Sequence, residues 1–71
     1  MDRLKLRGRI IERFGTLGRF SEAAGVSRVT ISSVLGGKSI PRLNTMKKWC
    51  ELLGIERDEI GPFFYPETLE N

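Results

Sequence analysis

The sequence predicts an all-α fold, and three observations carry that expectation. Apolar residues recur at steps of three and four, as at Leu6, Ile10 and Phe14, which makes one face of a 3.6-residue helix. Two hydroxyl residues suited to capping helix starts, Thr16 and Ser27, stand just before further short runs of that period. Glycines that stop helices, Gly15, Gly25, Gly36, Gly37 and Gly54, fall where those runs end.

The first helix spans roughly 3–14, with Leu6, Ile10 and Phe14 inward and Ile11 beside them. Its polar face carries Arg3, Lys5, Arg7, Arg9 and Arg13, and Gly8 weakens it by up to about 1 kcal/mol relative to alanine. Thr16 caps a second helix over roughly 17–24, whose inward set is Leu17, Phe20 and Ala24. A tight turn follows at Gly25, where a backbone with φ > 0 excludes most side chains. Ser27 then caps a third helix over about 28–35, with Val26 and Ile31 at the N′ and N4 positions of a hydrophobic staple.

At 100° per residue, Ile31, Val34 and Leu35 form the core-facing sector of that third helix. Val29 and Ser33 project to the opposite side, with Thr30 and Ser32 on the flanks and Arg28 near the helix start. The exposed face is therefore small, weakly polar and free of acids, whereas a merely solvated face of this length normally carries Lys or Glu. Gly36 and Gly37 end the helix, and a loop with Lys38, Ser39, Pro41 and Arg42 follows.

A fourth helix covers about 43–53, with Met46, Trp49, Cys50 and Leu53 inward and Asn44, Lys47, Lys48 and Glu51 outward. Asn44 is the available cap if this helix starts late. Residues 55–60 make a last short helical turn that Gly61 and Pro62 end. Residues 1–62 are thus read as the folded domain, and 63–71 as a short aromatic tail frayed at its end. If Phe63 to Tyr65 runs extended, Phe63 and Tyr65 point one way and Phe64 the other. One face then returns to the core while the second meets a partner. The alternative is that all three rings close a thin core.

Seventy-one residues make one small domain, which buries only about 60% of its unfolded surface and leaves little room for an enclosed active site. Cys50 is the single cysteine and histidine is absent, so an internal disulfide, the usual zinc sites and Ser/His or Cys/His nucleophilic pairs are excluded. No paired carboxylates converge on a pocket, so no enzyme, catalytic residue, metal or cofactor is expected. No stretch approaches the ~20 apolar residues that cross a bilayer, and the start lacks the apolar block of a signal peptide, which makes a cytoplasmic protein the default.

The net charge of +3 hides an asymmetry. Residues 1–48 hold eleven lysines and arginines against Asp2, Glu12 and Glu22, a net +8, while residues 49–71 hold Arg57 against six acids, a net −5. A basic half of this kind is the electrostatic footprint of a polyanion-binding surface, and an acidic end orients the molecule upon it.

Position by position, Thr16 to Gly37 resembles the helix-turn-helix of the phage repressor and Cro family of regulators. The agreement rests on apolar Phe20, small Ser21 and Ala24, Gly25 in the turn, Val26 after it, and Ile31 and Val34 inward on the next helix. It covers about residues 4–60, and small single-domain repressors of Cro type are the nearest in kind. The resemblance implies a compact five-helix domain of the lambda-repressor-like class that binds a double-stranded DNA operator. It implies Arg28, Val29, Ser32 and Ser33 at base edges, with Thr16, Ser27, Lys38 and Arg42 near phosphates and Arg13 and Arg19 as further phosphate candidates. Such helices read few base pairs, so a homodimer on an inverted repeat is expected, with Phe63, Phe64 and Tyr65 and the exposed edge of the fourth and fifth helices at its seam. No small-molecule effector is expected. Two other functions fit the sequence less well: the antitoxin of a toxin and antitoxin pair, and a protein-binding adaptor that uses the aromatic tail.

Overall fold

A computed structural model of the chain describes residues 3–65, and all regular structure among them is helical. The elements are α1 (Leu4–Phe14), α2 (Leu17–Ala24), α3 (Arg28–Leu35), α4 (Leu43–Leu53) and α5 (Ile60–Phe64), with a 3₁₀ turn at Arg57–Glu59 leading into α5. The spans expected for α2, α3 and α4 are the observed ones; side-chain caps and glycines bound α2 and α3, and Gly54 at φ 67° ends α4. Thr16 Oγ1 accepts from the Arg19 amide at 3.1 Å and Ser27 Oγ from the Thr30 amide at 3.1 Å. Gly25 ends α2 at φ 72°, its amide and that of Val26 both donating to the Ser21 carbonyl.

The helices close on one core in which Trp49 of α4 is fully buried. The Phe20 ring meets it edge-on at 5.1 Å between centroids, and Phe64 lies 6.3 Å away on the α5 side. Leu6, Ile10, Ile31, Val34, Leu35 and Leu53 fill the space around these rings. Phe14, Leu17, Val26 and Cys50 pack on its margin, half-buried, while Ile11 is exposed.

Several expectations change. The segment after Gly61 is helical rather than extended, and it places Phe63 and Phe64 at 1% and 0% exposure inside the core. Two rings enclosed within one chain have no face for a second, so the expected dimer seam at Phe63 and Phe64, and the adaptor built on the same rings, lose their basis. Tyr65 is half-buried against the same core. The domain's core accordingly extends past residue 62, while residues 66–71 of the expected tail lie outside the described residues. Gly61 and Pro62 do not end the last helix because they fall in the first turn of α5, where a missing N–H breaks no intrahelical bond. Finally, α4 starts at Leu43 with Arg42 in the cap position and no side-chain cap, rather than late behind Asn44.

A further correction concerns α1. Arg3, expected on a polar face, is 2% exposed. Its amide donates to the Leu35 carbonyl at 2.8 Å, its Nε to the Phe64 carbonyl at 2.8 Å, and its Nη1 to the Val34 carbonyl. One guanidinium therefore satisfies the final carbonyls of α3 and α5, where helix dipoles favour a cation. Arg9 acts alike at the end of α4: its Nη1 donates to Leu53 O at 2.7 Å, and its guanidinium lies 5.0 Å from the Phe63 ring centroid. Lys5 covers the same ring at 5.1 Å.

Candidate nucleic-acid interface

The geometry of α3 follows from its period. Ile31, Val34 and Leu35 are buried, which turns Val29 outward to 75% exposure and leaves Ser32 exposed and Ser33 half-buried beside it. At the helix start the Ser27 and Thr30 hydroxyls pair at 3.0 Å, both on the exposed side. At the helix end Gly37 takes φ 76°, and the chain doubles back so that the Lys38 and Ser39 amides donate to the Ser33 carbonyl at 2.9 and 3.3 Å. That turn brings the Lys38 side chain alongside α3.

The result is an open concavity of about 490 Å³ lined by Arg28, Val29, Ser32, Ser33 and Lys38. All four residues expected at base edges share this one surface, together with one of the expected phosphate residues. Its two charges are both positive, and no acidic side chain among the described residues lines it. A branched apolar group, two hydroxyls and two long cations converge there, a set that offers van der Waals contact, two-way hydrogen bonding and anion attraction within one shallow surface.

The other expected phosphate residues lie outside the concavity. Thr16 and Ser27 are exposed at the starts of α2 and α3 with their oxygens engaged as caps, and Arg19 and Arg42 are exposed on the first turn of α2 and before α4. Arg13 stands apart from this surface. Its guanidinium rests on Gly54, so close that a Cβ built there would lie 2.6 Å from Nη2, and it thus belongs to the end of α4. With Arg3 and Arg9 also committed to helix ends, part of the basic excess in residues 1–48 serves the scaffold. Thr30 is the residue that sequence reasoning left on a flank; its pairing with Ser27 shows that it belongs to the start of the exposed face.

Among the described residues no group of three or more His, Cys, Asp or Glu stands close enough to hold a metal ion, and no helix is long and apolar enough to cross a membrane. Burial pushes the Cys50 thiol above its ordinary value of 9.0.

Fold and surface together define a small all-α domain that presents a cationic, acid-free concavity on one short helix. The chain belongs to the family described as "Protein of unknown function (DUF739)", whose pattern matches residues 1–67. No curated protein matches it.

Proposed function

We propose that this chain is a sequence-specific double-stranded DNA-binding regulator, a transcriptional repressor of Cro type that acts in the cytoplasm. In this reading α2 and α3 are the helix-turn-helix of a lambda-repressor-like domain, and α3 lies in the major groove. The observation that carries it is the convergence of Arg28, Val29, Ser32, Ser33 and Lys38 on one acid-free concavity.

Each residue supplies a distinct part of the recognition. The outward Val29 methyls pack on a thymine methyl, Ser32 and Ser33 donate or accept at base edges, and Arg28 reaches guanine acceptors past the helix start. Lys38 neutralises a phosphate and fixes register without reading sequence. The first-turn amides of α2 and α3 that Thr16 and Ser27 leave free face the same backbone, with Arg19 and Arg42 at the margins. Two copies on an inverted repeat supply the affinity that one short face lacks. No step of this function needs a catalytic group, a cofactor or a small-molecule effector.

Selection of bound duplexes from a random pool at moderate salt tests the reading. A thymine-containing half-site repeated with inverted symmetry is the expected outcome, and a pool with no enrichment would overturn it.

A further inference from the structure

We propose that the face of α3 reads the 5-methyl group of a pyrimidine rather than the base that bears it, so that 5-methylcytosine is taken in place of thymine. The inference rests on the DNA-binding reading and names the chemistry that its central contact selects. Val29 is 75% exposed and is the one apolar side chain among the described residues that line the concavity. Ser32 and Ser33 follow it by three and four residues, which sets both beside Val29 on one helix face. Neither of these two hydroxyls has a hydrogen-bond partner among the described residues. The hydroxyls of Ser27 and Thr30, by contrast, hold each other, and that of Ser21 donates to the Gly18 carbonyl.

That composition decides which differences between bases the face can feel. On the major-groove edge thymine presents a C5-methyl group and an O4 acceptor, and cytosine a bare C5 and an N4 donor. 5-Methylcytosine combines the methyl group of the first with the donor of the second. A side chain of fixed polarity separates them, since a carboxylate only accepts, an ammonium or guanidinium only donates, and an amide presents a set pair. Among the described residues no acid or amide lines the concavity, and its fixed donors, Arg28 and Lys38, come from the start of α3 and from the loop beyond its end. Between them an unengaged serine hydroxyl turns to donate to O4 or to accept from N4. The same freedom serves at the paired purine, where adenine N6 donates and guanine O6 accepts. The hydroxyls therefore tolerate either base, and the contact between Val29 and the methyl group is left to discriminate. Methylation of a cytosine at C5 within the bound site thus becomes an input that strengthens binding with no change in the protein.

The test uses the full chain and the duplex it enriches from the random pool, with synthetic versions of that duplex titrated by fluorescence anisotropy. Each thymine is replaced in turn by deoxyuridine, which lacks the methyl group alone. At the thymine that meets Val29 the replacement should weaken binding about fourfold, the worth of one buried methyl group. Cytosine at that position should bind no better than deoxyuridine, and 5-methylcytosine should restore affinity to within about twofold of thymine. The contact releases no counterion, so plots of log affinity against log salt should shift without a change of slope. Val29→Ala, with unchanged helical circular dichroism, should bind the thymine, deoxyuridine and 5-methylcytosine duplexes alike, and Val29→Thr, which keeps one methyl group, should retain part of the preference. The proposal is overturned by a scan in which no thymine responds to loss of its methyl group, by 5-methylcytosine that binds no better than cytosine, or by a preference that survives Val29→Ala. Each of those results is measured on an enriched duplex and leaves the DNA-binding reading standing, whereas a pool without enrichment overturns that reading itself.

Discussion

Val29 and Arg3 are opposites at the residue scale. Val29 is exposed on α3 and holds nothing together, so Val29→Ala should leave the midpoint of denaturant unfolding within about 0.5 kcal/mol of the original. The same change should shift the bases enriched from a random pool, because the methyls that would meet thymine are gone. Arg3 was legible only as one more cation on α1. What buries it is the meeting of the ends of α3 and α5, which lie 31 and 61 residues away in sequence, and no local pattern encodes that. Arg3→Ala removes charged hydrogen bonds to the Phe64 and Val34 carbonyls and leaves buried acceptors unmet. A loss of about 3 kcal/mol is expected in urea unfolding, a large share of a small domain's stability.

At the scale of elements, the sequence was most readable where capping and turn chemistry are local. Ser27 and Gly25 mark the two sides of the turn between α2 and α3, and each acts within four residues of itself. The α5 segment was misread because glycine followed by proline signals a stop in a helix interior yet is tolerated in a first turn. Its rings then follow the helix rather than alternate. Ser27→Ala should cost about 1 kcal/mol in thermal or chemical unfolding, the usual value of a side-chain cap. Gly37→Ala tests the return loop instead: a Cβ at φ 76° costs roughly 1 kcal/mol, and any relaxation of the turn carries Lys38 away from α3. Weaker DNA binding with little change in base preference is the expected outcome in competition titrations.

For the whole molecule, the basic excess divides between two duties that sequence alone merged into one. Lys38 lines the concavity, whereas Arg9 holds the carbonyl end of α4. Lys38→Ala should lower affinity for all duplexes and flatten the plot of log affinity against log salt by about 0.9 per lost phosphate contact. Arg9→Ala should lower stability and leave that slope unchanged. A slope that responds equally to both would argue for diffuse attraction in place of a defined docking surface.

Trp49 gives this small protein a built-in optical reporter. It is the single tryptophan, fully enclosed, flanked by Phe20 and Phe64, and its indole N–H has no hydrogen-bond partner among the described residues. An indole kept from polar partners emits at short wavelength, and solvent contact moves that emission to the red. Because α2, α4 and α5 all touch the ring, its fluorescence registers their separation as one event. The concavity on α3 does not include it. A spectrum that reddens on heating but stays fixed as DNA is added would therefore read folding and binding on separate channels in a single cuvette.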